Sequence, residues 1–132
     1  MIDLSSDTQT RPSPGMREFM AAAPVGDEPL REDPSVNRLQ EMAATLLGKE
    51  AALFLPSGTM CNAIAFSLNA NRGEAVVLDQ ESHPNMSEAG GPAWLASVML
   101  RPVAGPRGIF SVHQVLPLLS KGGTHAARTA FI

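Results

Sequence analysis

Two places in this sequence set reactive or polar side chains where a backbone can meet a ligand. In residues 51–62, AALFLPSGTMCN, an apolar run stops on Pro56-Ser57-Gly58-Thr59 and a helical pattern resumes at once. In VVLDQESHPNMSEAGG, His83 stands four residues beyond Asp79, the last residue of another apolar run. A helix that begins where a strand ends offers unpaired N–H groups and the positive end of its dipole. Gly58 lets the backbone approach a ligand closely, and the hydroxyls of Ser57 and Thr59 add hydrogen-bonding capacity. A phosphate group suits such a turn, with the N–H groups of Gly58, Thr59 and Met60 as the predicted donors. The commoner use of the same residues is simply to cap a helix. No Walker-type Gly-Lys-Ser/Thr and no Gly-x-Gly-x-x-Gly follows any apolar run, which argues against a nucleoside triphosphate or a dinucleotide.

His83 should emerge on the same sheet edge as the Ser-Gly-Thr turn, since ligands of open α/β sheets sit outside the carboxyl ends of the strands. There it could stack on an aromatic ligand or move a proton, or it could be an ordinary solvated loop histidine. His113 in a helical stretch and His125 in a Gly-rich turn are read as surface residues. Cys61, near the start of a helix, is read as a small packing residue, with a reactive thiol as the alternative.

The elements that would position these residues follow from periodicity and punctuation. Ser13-Pro14 predicts a capped helix through GMREFMAAA, closed by Pro24. Asp33-Pro34 repeats the device, and Val36, Leu39, Ala43, Leu46 and Leu47 then fall on one helical face until Gly48. Beyond it, short apolar runs at 51–55, 75–79, 97–103 and 128–132 alternate with helical stretches at 59–69, roughly 86–95, and 111–120. That alternation is the pattern of α/β architecture with a mainly parallel sheet. Pro117 weakens the last helical stretch. The chain ends inside the apolar run RTAFI, which reads as an unfinished sheet.

A chain of 132 residues accommodates one domain with a core. With 44% hydrophobic residues and mean hydropathy near zero, it has the composition of a soluble globular protein. A net charge of −3 without clustered basic residues argues against nucleic-acid binding. One cysteine excludes an internal disulfide and any multi-cysteine zinc site, and no metal site is expected. The N-terminus has neither the basic start nor the apolar stretch of a signal peptide. No apolar run is long enough to span a bilayer, and the cytoplasm is the expected location.

The segments DLSSDTQTRPSPGMREFMAAAPVGDE, EDPSVNRLQEMAATLLGKEAALFLPSGTMCN and SHPNMSEAGG, in this order and spacing, resemble the threonine aldolase group of the β-eliminating lyases. These are pyridoxal-phosphate enzymes of the aspartate-aminotransferase fold type. The resemblance implies an α/β three-layer sandwich with a mainly parallel sheet, residues 1–132 being the N-terminal part of the coenzyme-binding large domain. It further implies pyridoxal 5'-phosphate as cofactor, with its phosphate on Gly58, Thr59 and the adjoining Met60. His83 then corresponds to the family histidine that stacks on the pyridine ring and has been cast as a base. Ser6 matches a serine that helps bind the substrate carboxylate, and Glu88 matches a position near the cofactor. Such enzymes cleave β-hydroxy-α-amino acids, typically threonine or allo-threonine, to glycine and an aldehyde, and they form homodimers or homotetramers.

Several residues depart from the family pattern. Ser5 stands where the family usually has Arg, Leu30-Arg31 where it has Tyr-Gly, and Cys61 where Gly or Ala is usual. Neither Lys49 nor Lys121 matches the family's Schiff-base lysine, so the chain by itself is expected to be inactive. Two further readings stand beside the aldolase. One is a non-catalytic remnant of the family; the other is a β-eliminating lyase acting on a different amino acid.

Overall fold

The computed structural model describes Asp3 and residues 5–132, apart from the side chain of Asp7. The leucine of the N-terminal Asp-Leu-Ser-Ser motif therefore lies outside the described residues. The chain divides into two compact units, one up to Phe54 and one from Leu55 onward.

In the first unit the predicted caps form. Ser13 accepts a hydrogen bond from the Met16 N–H at 3.2 Å and Pro14 occupies the first turn of α1 (Pro14–Ala22). Asp33 Oδ1 accepts from the N–H groups of Ser35 and Val36, both at 3.0 Å, to start α2 (Pro34–Leu47). Gly48 stops that helix at φ 61, a left-handed position glycine occupies without steric cost. The apolar face of α2 is largely uncovered: Ala44 is buried, whereas Leu39, Met42, Leu46 and Leu47 are exposed.

The apolar run 51–55 is not a strand. Its residues carry no regular structure, and Leu53 and Phe54 are exposed. The Phe54 N–H donates to the Gln40 side-chain oxygen at 2.9 Å rather than to a neighbouring strand. An apolar run supplies a face to bury, but a strand also needs a partner for its backbone groups. Residues 51–55 find none among the described residues.

The second unit holds a three-stranded, wholly parallel sheet in the order β2-β1-β3. Its strands are β1 (Ala75–Asp79), β2 (Met99–Val103) and β3 (Thr129–Phe131). The central strand explains its own sequence: Ala75, Val76 and Val77 are essentially solvent-free, as a strand covered on both faces requires. On one face Val76 and Leu78 pack with Phe66 of α3 (Gly58–Asn69), with Ala96 and Val98, and with Leu100 and Phe131. The rings of Phe66 and Phe131 stack at 5.8 Å. On the other face Val77 and Val103 pack with Val115 of α6 (Val112–Val115) and with Phe110 and Leu118. Helices on both faces of a parallel sheet make the expected three-layer α/β arrangement.

Three predicted elements are shorter than their patterns. The stretch 86–95 breaks into α4 (His83–Met86) and α5 (Gly91–Leu95). Ala89 at φ 49 and Gly90 at φ 77 reverse the backbone between them, and Pro92 has no N–H with which to continue an upstream helix. The stretch 111–120 gives one α-turn and then the 3-10 turn Leu116–Leu118, where Pro117 removes a donor. Strand β2 starts at Met99 rather than residue 97, because Ser97 adopts a left-handed φ of 55. Leu55 begins the unit and leads directly into the Ser-Gly-Thr turn.

Candidate active site

The candidate site lies entirely in the second unit, where α3 meets the loop that leaves β1. Ser57, at φ −150 and ψ 148, caps α3, and its hydroxyl accepts from the Met60 N–H at 3.2 Å. Capping and anion binding are therefore divided among the donors. The Met60 N–H, one of the three donors expected at a phosphate, serves the cap here. The N–H groups of Gly58 and Thr59 have no acceptor among the described residues. A Cβ built at Gly58 would meet nothing within 4 Å, so the backbone there is open on its Cβ side.

His83 follows β1 after the turn Asp79–Ser82, closed by the Ser82 N–H on the Asp79 carbonyl at 3.1 Å. Its imidazole Nδ1 lies 2.9 Å from Glu88 Oε1, and the Asn62 side-chain amide donates to the same oxygen at 2.6 Å. Asn62 belongs to α3, so this contact ties the first half of that helix to the carboxyl end of β1. Glu88 thus links α3 to the histidine, although the strand expected to lead into the Ser-Gly-Thr turn is absent. Glu88 is brought to them by the backbone reversal at Ala89 and Gly90. Its side chain is 1% exposed while that of His83 is 61% exposed, so a buried carboxylate holds an accessible ring.

The carboxyl end of β1 has further polar capacity. Asp79 Oδ1 accepts from the Glu81 N–H at 2.8 Å, whereas Asp79 Oδ2 and Ser82 Oγ are buried with no partner among the described residues. Among the described residues no group of three His, Cys, Asp or Glu side chains is placed to hold a metal ion.

Other sequence-predicted residues fall elsewhere. Ser6 is in the first unit, where its hydroxyl lies 2.8 Å from Thr8 Oγ1 and accepts from the Thr8 N–H at 3.2 Å. Leu30 is exposed in the same unit, and Arg31 beside it takes φ 57. Cys61 is exposed, which corrects its reading as a packing residue: α3 turns it away from the side that carries Phe66. His113 and His125 are exposed, as expected of surface residues. Asn62 is the residue that sequence reasoning missed. The available signal was its i+4 spacing from Gly58, which puts both on one side of α3.

The residues present suit an anionic, aromatic coenzyme. Two unclaimed N–H groups at a helix start suit a phosphate, and an accessible imidazole linked to that helix through Glu88 suits a flat ring. The chain belongs to the beta-eliminating lyase family, whose sequence model matches residues 3–132.

Among its relatives is the low specificity L-threonine aldolase of Escherichia coli strain K12, 46% identical over 133 residues. That match takes in 100% of this chain and 40% of the relative. The low-specificity L-threonine aldolase 1 of Arabidopsis thaliana is 46% identical over 98 residues, covering 74% of this chain and 27% of the relative. Alanine racemase TOXG of Cochliobolus carbonum is 35% identical over 109 residues, covering 82% and 28%. The chain thus spans two fifths or less of the length of these relatives.

Proposed function

We propose that this chain contributes the coenzyme-phosphate turn and the ring-facing histidine of a pyridoxal 5'-phosphate-dependent lyase. The lyase would cleave β-hydroxy-α-amino acids, threonine or allo-threonine among them, to glycine and an aldehyde. The carrying observation is the pair of unclaimed N–H groups at Gly58 and Thr59, on the helix that Glu88 links to the accessible His83. The names of the Escherichia coli and Arabidopsis relatives support the reaction.

In this reading Gly58 and Thr59 bind two phosphate oxygens, while Ser57 and Met60 keep the helix start rigid. The bound coenzyme would draw off the electron pair left when the Cα–Cβ bond of the substrate breaks. His83 lies against its ring and holds it flat, or takes the proton of the substrate β-hydroxyl at Nε2. Ser6 contributes to the substrate carboxylate site. Residues 1–132 form the first part of the large domain, and the reactive lysine belongs to further sequence. The complete protein is a homodimer or homotetramer of the cytoplasm, acting on a small amino acid. Among the described residues no helix is long and apolar enough to cross a membrane.

A second reading changes only the reaction. Leu30 replaces a family tyrosine, and one relative carries the name alanine racemase, so the same turn and histidine could serve another amino-acid transformation. Two measurements test the proposal. A structure solved with pyridoxal 5'-phosphate should place phosphate oxygens within hydrogen-bond reach of the Gly58 and Thr59 nitrogens; oxygens lodged elsewhere would overturn the site. The protein together with its remaining family-type sequence should release glycine from threonine. Turnover of another amino acid without glycine release would select the second reading.

A further inference from the structure

We propose that Glu88 and Asn62 are positioning residues that dictate the tautomer of His83: Nδ1 carries the proton and Nε2 is left as the outward-facing acceptor. One oxygen joins the three side chains. Glu88 Oε1 receives the Asn62 amide at 2.6 Å and lies 2.9 Å from His83 Nδ1. Were the Asn62 amide reversed, its oxygen would face the carboxylate oxygen, acceptor against acceptor. Oε1 is therefore an acceptor, and an acceptor at 2.9 Å requires that Nδ1 donate.

In the neutral ring the proton on Nδ1 leaves Nε2 bare, and Nε2 lies on the side of the ring away from Glu88. A free neutral histidine side chain favours the opposite tautomer, with the proton on Nε2, so the protein reverses an intrinsic preference. Burial of the carboxylate makes the contact effective: at 1% side-chain exposure, water does not compete for Oε1. Asn62 anchors that carboxylate from α3, the helix whose start carries the unclaimed N–H groups. One element thus aligns the phosphate donors and the ring. This deepens the proposed function and rests on it for the ring's use: a bare Nε2 is the form able to accept a proton from a substrate hydroxyl.

The test needs no coenzyme. Histidine 15N resonances of the full chain, recorded where the rings are neutral, report which nitrogen of His83 bears the proton. His83 is expected as the Nδ1–H form. Glu88→Gln, whose amide oxygen still accepts from both neighbours, should retain it. Glu88→Ala should return His83 to a population dominated by Nε2–H. An Nε2–H signal in the wild-type chain, or an Nδ1–H signal in folded Glu88→Ala, would overturn the proposal. Should Glu88→Ala fail to fold, the wild-type and Glu88→Gln spectra still decide, because both must show Nδ1–H. A chain that shows Nδ1–H but binds no pyridoxal phosphate would support the positioning role and defeat only the functional reading.

Discussion

Arg101 of β2 reaches over the central strand to donate to Thr129 Oγ1 of β3 at 3.0 Å. The two outer strands of the sheet are thus linked across β1. The same guanidinium donates to the Leu118 carbonyl at 2.6 Å and the Ala127 carbonyl at 3.0 Å. The geometry depends on an irregularity in β3. Ala75 pairs with Thr129 while Val76 pairs with Phe131, so one residue is skipped. The skip points Thr129 to the Arg101 face and Phe131 to the Phe66 face. Replacing Arg101 by Met leaves the Ala127 carbonyl without a donor, while Thr129 Oγ1 keeps the Ser120 N–H and the Leu118 carbonyl keeps the Thr129 hydroxyl. The loss should cost about 1.5–3 kcal/mol in urea unfolding, at the scale of hydrogen bonds to a charged group. A cost below about 0.5 kcal/mol would show that solvent satisfies the carbonyl equally well.

Gly58→Pro deletes one phosphate donor while leaving the helix start intact. Proline is tolerated at the first helical position, and Ser57 at ψ 148 already has the conformation required before it. Pyridoxal-phosphate affinity should fall about tenfold or more, because a hydrogen bond to a charged group is worth about 1.5–3 kcal/mol. Equal affinity by titration calorimetry would remove Gly58 from the site.

Arg31 occupies a left-handed backbone position, φ 57, where the resemblance places a family glycine. The conformation strains a residue with a Cβ and not a glycine. Arg31→Gly should therefore raise stability by about 0.5–1 kcal/mol, read as an increased urea midpoint at unchanged m-value.

Glu74 and Arg128 pair at 2.6 Å just ahead of β1 and β3. The Arg128 hydrogen bond, with a further one from the Asn71 N–H, lowers the Glu74 carboxyl from 4.5 to about 2. A depressed acid stabilises the fold above its unfolded value and loses that contribution as pH falls through its folded value. The wild type should lose stability between about pH 4.5 and 2 through this group, and Glu74→Gln should lack that portion of the slope. Parallel pH profiles for the two proteins would rule the pair out as a contributor.

Lys49 and Lys121 are both exposed and outside the candidate site. Treatment of this chain with pyridoxal phosphate and borohydride should leave neither lysine stoichiometrically labelled in a peptide map. Full labelling of either would contradict the assignment of the reactive lysine to further sequence.

Much of the architecture was legible because local rules decided it. Ser13, Asp33 and Ser57 cap helices where their side chains reach the next turn's N–H groups, whatever lies further away. Gly48 ends α2 for an equally local reason. The runs 75–79, 97–103 and 128–132 became strands because the second unit pairs them. The equally apolar run 51–55 did not, since pairing is a property of the neighbour and not of the run. Likewise, Ala89 looked like helix by composition, and only its backbone reversal shows how Glu88 is turned inward.

By itself the sequence determined the family, the capped helix starts and the alternation of helix and strand in the second unit. These follow from residue order and from capping chemistry. The tertiary structure decided which donors remain unclaimed, that Cys61 faces outward, and that Asn62 and His83 converge on one oxygen of Glu88. His83 and Glu88 are five residues apart, whereas Asn62 lies 26 residues before Glu88. Their meeting depends on how α3 packs against the sheet and how the chain reverses at Ala89 and Gly90, which no local rule contains.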